Sequence, residues 1–333
     1  MSDKRCAAVF SAGIAAIEHL DQMLGIEIEH KTWFGPMHYT EVYGWGRKKN
    51  TRWPRLYANR NSIPFACLED GFIRSYGLGV SGAPLLSVVR DFSGIYYDST
   101  GPSDLETLIR EQSSITSTLM ADADIAMRAI VSAGVTKYSV GDEFTADDQF
   151  LSDGGSRVLV VDQTYGDMSM MYGSPRGDVF QEMLECAVLE NPRSTVYLKT
   201  HPDVLSGVRR GCFSKKAIKD SGARVLAGDY NPYSVFPYFD RIYTVTSQMG
   251  FEALLAGKKV TCFGMPFYAG WGLTDDRVMC ERRGVVRTLA EVFANSYLVY
   301  TKYLNPETKK AGTIFDVISH VIDKRSAAKG GLA

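Results

Sequence analysis

Between Arg157 and Gly272 short β-branched runs alternate with helical stretches, and each run ends in polar residues. Val158–Val161 stops at Asp162-Gln163-Thr164, and Gly166 loosens the backbone before Asp167 and Ser169. Thr195–Leu198 ends in Lys199-Thr200-His201-Pro202-Asp203. Ile242–Val245 ends in Thr246-Ser247-Gln248, and Val260–Phe263 runs into a glycine-aromatic stretch closing at Trp271-Gly272. Helices are expected at about 178–190 and 249–255 between these runs. Strand and helix alternating at this pace predict a parallel Rossmann-like sheet. Right-handed crossovers would place the strand tips on one edge. Ligands of open α/β sheets bind outside those carboxyl ends. A single such loop is equally well a polar turn in which Asp162 caps the next helix. Recurrence at several strands favours a site.

The first half is less regular. Ile63–Leu68 reads as a buried strand tipped by Glu69-Asp70-Gly71. Two carboxylates before a glycine fit a general acid or base on a tight turn, and a surface turn with an ion pair is the other reading. Arg74 would hold one carboxylate ionised or bind a ligand anion. Pro84–Val89 and Gly94–Tyr97 read as a hairpin. Ser103 and Glu106 form a capping box for a helix to about Gln112, and a second helix covers Thr118–Ala133. Trp33-Phe34-Gly35 and Gly44-Trp45-Gly46 suggest aromatic walls. The run Arg47-Lys48-Lys49 would suit an anionic acceptor, although a solvated basic turn is commoner. Helices are expected at Leu289–Tyr303 and Ile314–Lys324, with a frayed tail from Ala327. The aromatic and basic stretch Tyr297–Lys310 is a possible membrane contact, a packed helix being the commoner case.

A chain of 333 residues predicts more than one core. The polar segment 139–155 marks a boundary, giving domains at 1–150 and 151–300 and a helical extension at 301–333. A net charge of −1 argues against a polyanion binder, so no nucleic-acid partner is expected. The six cysteines are scattered without CxxC spacing. Cys67 and Cys262 read as buried thiols, and the pattern predicts a reducing cytoplasm and no metal site. The start of the chain reads as cytoplasmic rather than as a signal sequence. GxGxxG and GxxxxGK[ST] are absent, which argues against a dinucleotide cofactor or a P-loop. Ser247, between strand and helix, makes a phosphate site with the first helical N–H groups. A helix end contributes only about 0.3–1 kcal/mol, so a further donor is needed. His201, with Lys199 close behind, is well placed for that, whereas His19, His30, His38 and His320 read as structural.

Taken together, Glu69-Asp70-Gly71-Phe-Ile-Arg-Ser, Asp162-Gln163-Thr164-Tyr-Gly-Asp167-Met-Ser169, Lys199-Thr-His201-Pro202-Asp-Val, Thr246-Ser247-Gln248-Met-Gly-Phe-Glu-Ala-Leu-Leu-Ala-Gly, Phe267-Tyr-Ala-Gly-Trp-Gly-Leu-Thr and Tyr303-Leu-Asn-Pro resemble the capsule polysaccharide biosynthesis proteins of the KpsC/LipB type. The resemblance covers nearly the whole chain and is nearest to the N-terminal module of the two-module enzymes. It implies a GT-B-like α/β architecture, two Rossmann-like domains with the active site in the cleft between them. It implies a retaining β-Kdo glycosyltransferase that takes CMP-Kdo as donor and builds a Kdo linker, with 2→4 linkage, on a phosphatidylglycerol-type lipid. Asp167 would be the nucleophile of a double displacement, because the family's other module keeps this Asp and the Ser but not the earlier Asp. Asp162 would support it. Glu69, with Asp70 second, would be the acid/base. His201 and Ser247 would hold the CMP phosphate, helped by Lys199, Gln248, Thr246, Gln163 and Ser169. Arg74 and Trp271 would meet the acceptor or the sugar. The first domain would be the acceptor side and the second the donor side. No cofactor and no metal are expected. Peripheral attachment to the inner membrane and a capsule assembly complex are implied as partners. An inverting CMP-sugar transferase of the sialyltransferase type and a non-catalytic nucleotide-sugar binding module are the other classes.

Overall fold

The computed structural model describes residues 5–32, 39–79, 82–147, 150, 155–174, 178–200, 204 and 210–330. Met1–Tyr96, Gly101–Ser139 and Phe293–Ala333 form one unit, and Tyr97–Thr100 with Val140–Val292 form a second. The fold is mixed α/β. The first unit begins with β1 (Cys6–Val9), β2 (Glu27–His30), β3 (Glu41–Trp45), β4 (Phe65–Asp70) and β5 (Ser87–Asp91). β1 lies between β2 and β3, and β3 pairs with β4, all parallel. Alternate residues of a strand face opposite sides. Ala7, Val9, Ala66 and Leu68 accordingly join one core cluster, while Ala8 and Val42 join another with Ala58.

β4 does not stop at Leu68 as the sequence predicts. It runs on through Glu69 and Asp70, which lie opposite Val89 and Val88 of antiparallel β5. Gly71 serves close approach rather than a tight turn: a Cβ there would lie 2.1 Å from Ser87 Oγ. The expected hairpin at 84–97 is also corrected, since β5 has no return strand. The Asp91 carboxylate instead accepts the N–H groups of Ser93, Gly94 and Asp104, and the chain turns into the helix Asp104–Glu111. Ser103 caps that helix through the Glu106 N–H, as its spacing predicts, and Thr116 caps Ser117–Ala133.

The second unit holds β6 (Arg157–Val161), β7 (Thr195–Lys199), β8 (Arg224–Leu226), β9 (Arg241–Thr244), β10 (Lys259–Cys262) and β11 (Asp275–Asp276). Their order is β11-β10-β9-β6-β7-β8 and every pair is parallel. The strand tips therefore share one edge. The chain winds from β6 outward to β8, then returns to β9 and winds the other way. The switch point of this sheet lies between β6 and β9. Val158 and Val160 pack against Val179, Met183 and Ala187 of the helix Val179–Glu190.

The last segment returns to the first sheet. The expected helix to Tyr303 is an α-turn at Leu289–Phe293, a π-helix at Ala294–Tyr300, and then β12 (Thr301–Leu304), antiparallel to β5. Thr301, Tyr303 and Leu304 are buried while Lys302 is exposed, a strand pattern rather than a helical one. β13 (Ala311–Gly312) closes the edge, and the helix Ile314–Gly330 follows, longer than expected. The first sheet thus has seven strands in the order β13-β12-β5-β4-β3-β1-β2. Only its β2-β1-β3-β4 part is Rossmann-like. The boundaries fall after Ser139 and after Val292, not at 150 and 300, because β12 and β13 complete a sheet begun near the N-terminus.

Candidate active site

At the switch point of the second sheet the β6 and β9 tips are bonded to each other. The Gln163 amide accepts the Thr246 N–H at 2.9 Å and donates to Thr246 Oγ1 at 3.1 Å. Ser169 Oγ lies 3.2 Å from the same Thr246 Oγ1. Two glycines hold Thr246 in place. A Cβ on Gly173 or Gly264 would approach its methyl to 2.7 or 2.8 Å. Asp162 is buried, and its Oδ1 accepts the N–H groups of Gln163 (2.8 Å) and Cys212 (3.0 Å). Burial pushes its carboxyl up to about 6, against the pull of those two bonds. Asp167 is exposed and caps the helix Met168–Gly173, with Oδ1 accepting the Ser169 N–H at 2.9 Å. Of the two aspartates, Asp167 is the reachable one, and Asp162 is built into the loop.

Ser247 caps the helix Gln248–Leu255, its Oγ accepting the Met249 N–H at 3.2 Å. A hydroxyl that accepts still has a proton to donate. The turn is braced from below by Tyr268, whose hydroxyl donates to the Ser247 carbonyl at 2.5 Å. Gln248 is half-buried in the first turn of that helix. Lys199 is buried at the β7 tip. Burial lowers its ammonium, while the carboxylates of Asp229 and Glu252 pull the other way. His201 lies outside the described residues, as do Trp33, Phe34 and His38. Trp271 is not a sugar wall. It is 0% exposed, donates to the Phe267 carbonyl at 2.8 Å, and has the buried Arg283 guanidinium over its ring. Arg283 also donates to the Pro266 carbonyl, so the glycine-aromatic stretch is core.

In the first unit, Glu69 is the penultimate residue of β4, with Oε1 accepting the Trp45 indole N–H at 2.9 Å. Burial pushes its carboxyl up to about 7, with Lys137 opposing and Asp70 adding to the rise. Asp70 pairs with Arg74 at 3.4 Å. Arg74 also donates to Ser75 Oγ and to the Ala83 carbonyl, so it is a structural tie as well as a charge partner. Lys137 gave no signal in the sequence, because it follows a helix without a pattern. Burial lowers its ammonium, but Tyr96, Tyr138, Asp70 and Glu69 outweigh this and hold it charged. Beyond the tips of β1 and β3 lies a small open cup, lined among others by Phe10, Ser11, Trp45, Asn50 and Pro54. Trp45 thus lines the cup while its indole N–H serves Glu69. Among the described residues no three His, Cys, Asp or Glu side chains gather as a metal ion would require.

Comparison with known proteins adds independent findings. A profile of the family described as capsule polysaccharide biosynthesis protein matches residues 40–139 and 124–305. The chain is 42% identical over 322 residues to the capsule polysaccharide modification protein LipA of Neisseria meningitidis serogroup A, covering 95% of this chain and 45% of that protein. It is 41% identical over 260 residues to the lipopolysaccharide-processing protein LpsZ of Rhizobium meliloti, covering 78% of this chain and 58% of that protein. The chain spans about half the length of the curated relatives it matches. Among solved structures, the KpsC β-Kdo 2,4 transferase of Thermosulfurimonas dismutans matches with a TM-score of 0.88 at 43% identity, covering 96% of this chain and 98% of that one. The KpsC β-Kdo 2,7 transferase of the same organism matches with a TM-score of 0.72 at 26% identity, covering 96% of this chain and 99% of that one.

Proposed function

Because the chain belongs to the capsule polysaccharide biosynthesis protein family, we propose that it is a glycosyltransferase moving Kdo from CMP-Kdo to a Kdo-terminated glycolipid with retention of configuration. The observation that carries this reading is the bonded edge of the second sheet. There Gln163, Thr246 and Ser169 meet at the switch point, with Asp167 capping the helix that carries Ser169. Hydroxyls, an amide and helix N–H groups are what a departing phosphate needs. The higher TM-score and identity of the structure described as a 2,4 transferase support that linkage here.

In this reading Asp167 attacks the anomeric carbon of Kdo, the bond to phosphate breaks, and its electron pair leaves with CMP. The acceptor hydroxyl then attacks the same carbon and gives its proton to Glu69, and the aspartate is released. Two inversions give net retention. CMP leaves as a stable anion, so the proton transfer that matters is the second, in which Glu69 is a base. A carboxyl raised toward neutrality is a stronger base at working pH. Asp70, already paired to Arg74, is the second choice. Asp162 fixes the β6 loop, and Ser247, Gln248, Lys199 and His201 complete the phosphate site. The cup beside Trp45 would take the acceptor sugar. A GT-B-like arrangement with donor and acceptor units across a cleft, a phosphatidylglycerol-type lipid, the inner face of the inner membrane and a capsule assembly complex belong to the same proposal.

The test is mass spectrometry after incubation with CMP-Kdo. A Kdo-sized adduct should map to the peptide carrying Asp167, and Asp167→Asn should lose both adduct and transfer while still binding CMP. An adduct on Asp162 would reassign the nucleophile. Unmodified protein together with a fully active Asn variant would reject the mechanism.

A further inference from the structure

The strand β3 and the helix Arg52–Arg60 carry a surface that the transfer chemistry does not use. From Val42 to Leu68 the sequence contains no Asp or Glu, yet it contains Arg47, Lys48, Lys49, Arg52, Arg55 and Arg60. The chain as a whole has a net charge of −1, so this is a local concentration of cations. The helix buries Pro54 and Ala58 and turns its other side to solvent. On that side Trp53 is 60% exposed and Leu56 37% exposed. Lys48, Lys49, Arg52 and Arg60 around them are exposed as well. Trp53, Leu56 and Arg60 stand at i, i+3 and i+7, which is one stripe of a helix.

We propose that this stripe docks on an anionic lipid bilayer, with Trp53 and Leu56 at headgroup depth and Lys48, Lys49, Arg52 and Arg60 facing lipid phosphates. A tryptophan with a basic surround is what membrane interfaces select, and each cation near an anionic leaflet adds to binding. Among the described residues no helix is long and apolar enough to cross a membrane. The cup shares its wall with the same stretch, because Asn50 and Thr51 of the turn before the helix and Pro54 of the helix line it. Docking through Trp53 would set the cup at the level of a glycolipid head, and to that extent the proposal rests on the lipid-acceptor reading. The binding itself does not need donor or acceptor. Tyr297–Lys310, the contact expected from sequence, is the poorer surface, since Tyr297, Tyr300 and Tyr303 are all buried.

The experiment is sedimentation of the full chain with vesicles of phosphatidylcholine alone, or with about a third phosphatidylglycerol. Binding should need the anionic lipid, fall at high salt, and shift tryptophan emission to the blue. Lys48→Glu with Lys49→Glu, and separately Trp53→Ser, should each weaken binding by about tenfold or more. Trp53→Ser should also abolish the emission shift. Lys215→Glu with Lys219→Glu, an equal charge change on an exposed helix of the other unit, should leave binding intact. Transfer to a soluble Kdo acceptor should be unchanged in Trp53→Ser, which separates this proposal from the transferase reading. Absence of binding, binding indifferent to lipid charge, or equal losses in the Lys215/Lys219 control would overturn the proposal. A Trp53-dependent dimer without vesicle binding would assign the stripe to a second copy of the chain instead.

Discussion

Burial holds the Glu69 carboxyl at about 7, against 4.5 when unburied. Through that window the native protein keeps a proton that the unfolded chain has released. The stability contributed by protonated Glu69 is full below the unfolded value and is lost as pH rises through the folded one. The difference is at most about 3.5 kcal/mol. Glu69→Gln keeps an oxygen for the Trp45 N–H and removes the titration. Its urea midpoint should exceed that of the parent at about pH 8 and converge with it near pH 5. A constant gap across that range would refute the burial argument. As a base Glu69 must be ionised, so transfer should fall about tenfold per pH unit below about 7, while adduct formation does not. Trp45→Phe removes a donor that favours the ionised form, so this limb should move to higher pH. Glu69 and Gln163 stand out as candidates in the sequence because each lies at or just beyond the end of an apolar run. Trp271 was misread because glycines beside an aromatic look like a binding wall, and nothing near it in sequence announces Arg283 as its partner.

At the scale of elements, the alternation of runs announced the second sheet and its common edge. What it could not show was how the edge is braced. Tyr268 reaches back to the start of the helix Gln248–Leu255 to hold the Ser247 carbonyl, and it can do so only because Gly250 has no side chain. A Cβ on Gly250 would lie 2.1 Å from the Tyr268 hydroxyl. Tyr268→Phe should cost about 1 kcal/mol and raise the donor KM by loosening the turn. Gly250→Ala should cost about 1–3 kcal/mol by overpacking. In the double variant the second change should be cheaper by about 1 kcal/mol, because the offending hydroxyl is gone. Strict additivity in denaturant midpoints would mean that Gly250 is not there to admit Tyr268. The misassigned hairpin at 84–97 has a similar cause. Its decisive contacts run from Asp91 to the N–H of Asp104, beyond the reach of a local pattern.

At the scale of the whole chain, sequence order and spatial order part company at Phe293. Residues 293–333 belong to the unit that the first 96 residues begin. β12 covers the edge of β5. Tyr300 donates at 2.7 Å to the buried Asp91, and Tyr297 stacks on Phe72 with ring centroids 4.9 Å apart. A local reading saw here only an amphipathic helix, because a single strand entering late carries no sign of the sheet it joins. Removing residues 293–333 should therefore injure the beginning of the chain. It would bare the β5 edge, leave the Asp91 carboxyl without its hydroxyl partner, and strip the ring from Phe72. The parallel strands β6 to β11 lie wholly outside the deleted segment and keep their own core. Hydrogen exchange should show protection lost from β1, β3, β4 and β5 and retained in β6, β7, β9 and β10. CMP binding should survive in the truncated chain and transfer should vanish, since Glu69 sits on the damaged sheet. Protection retained in β4 and β5 would show that the late strands are an ornament on the first unit rather than its closing edge.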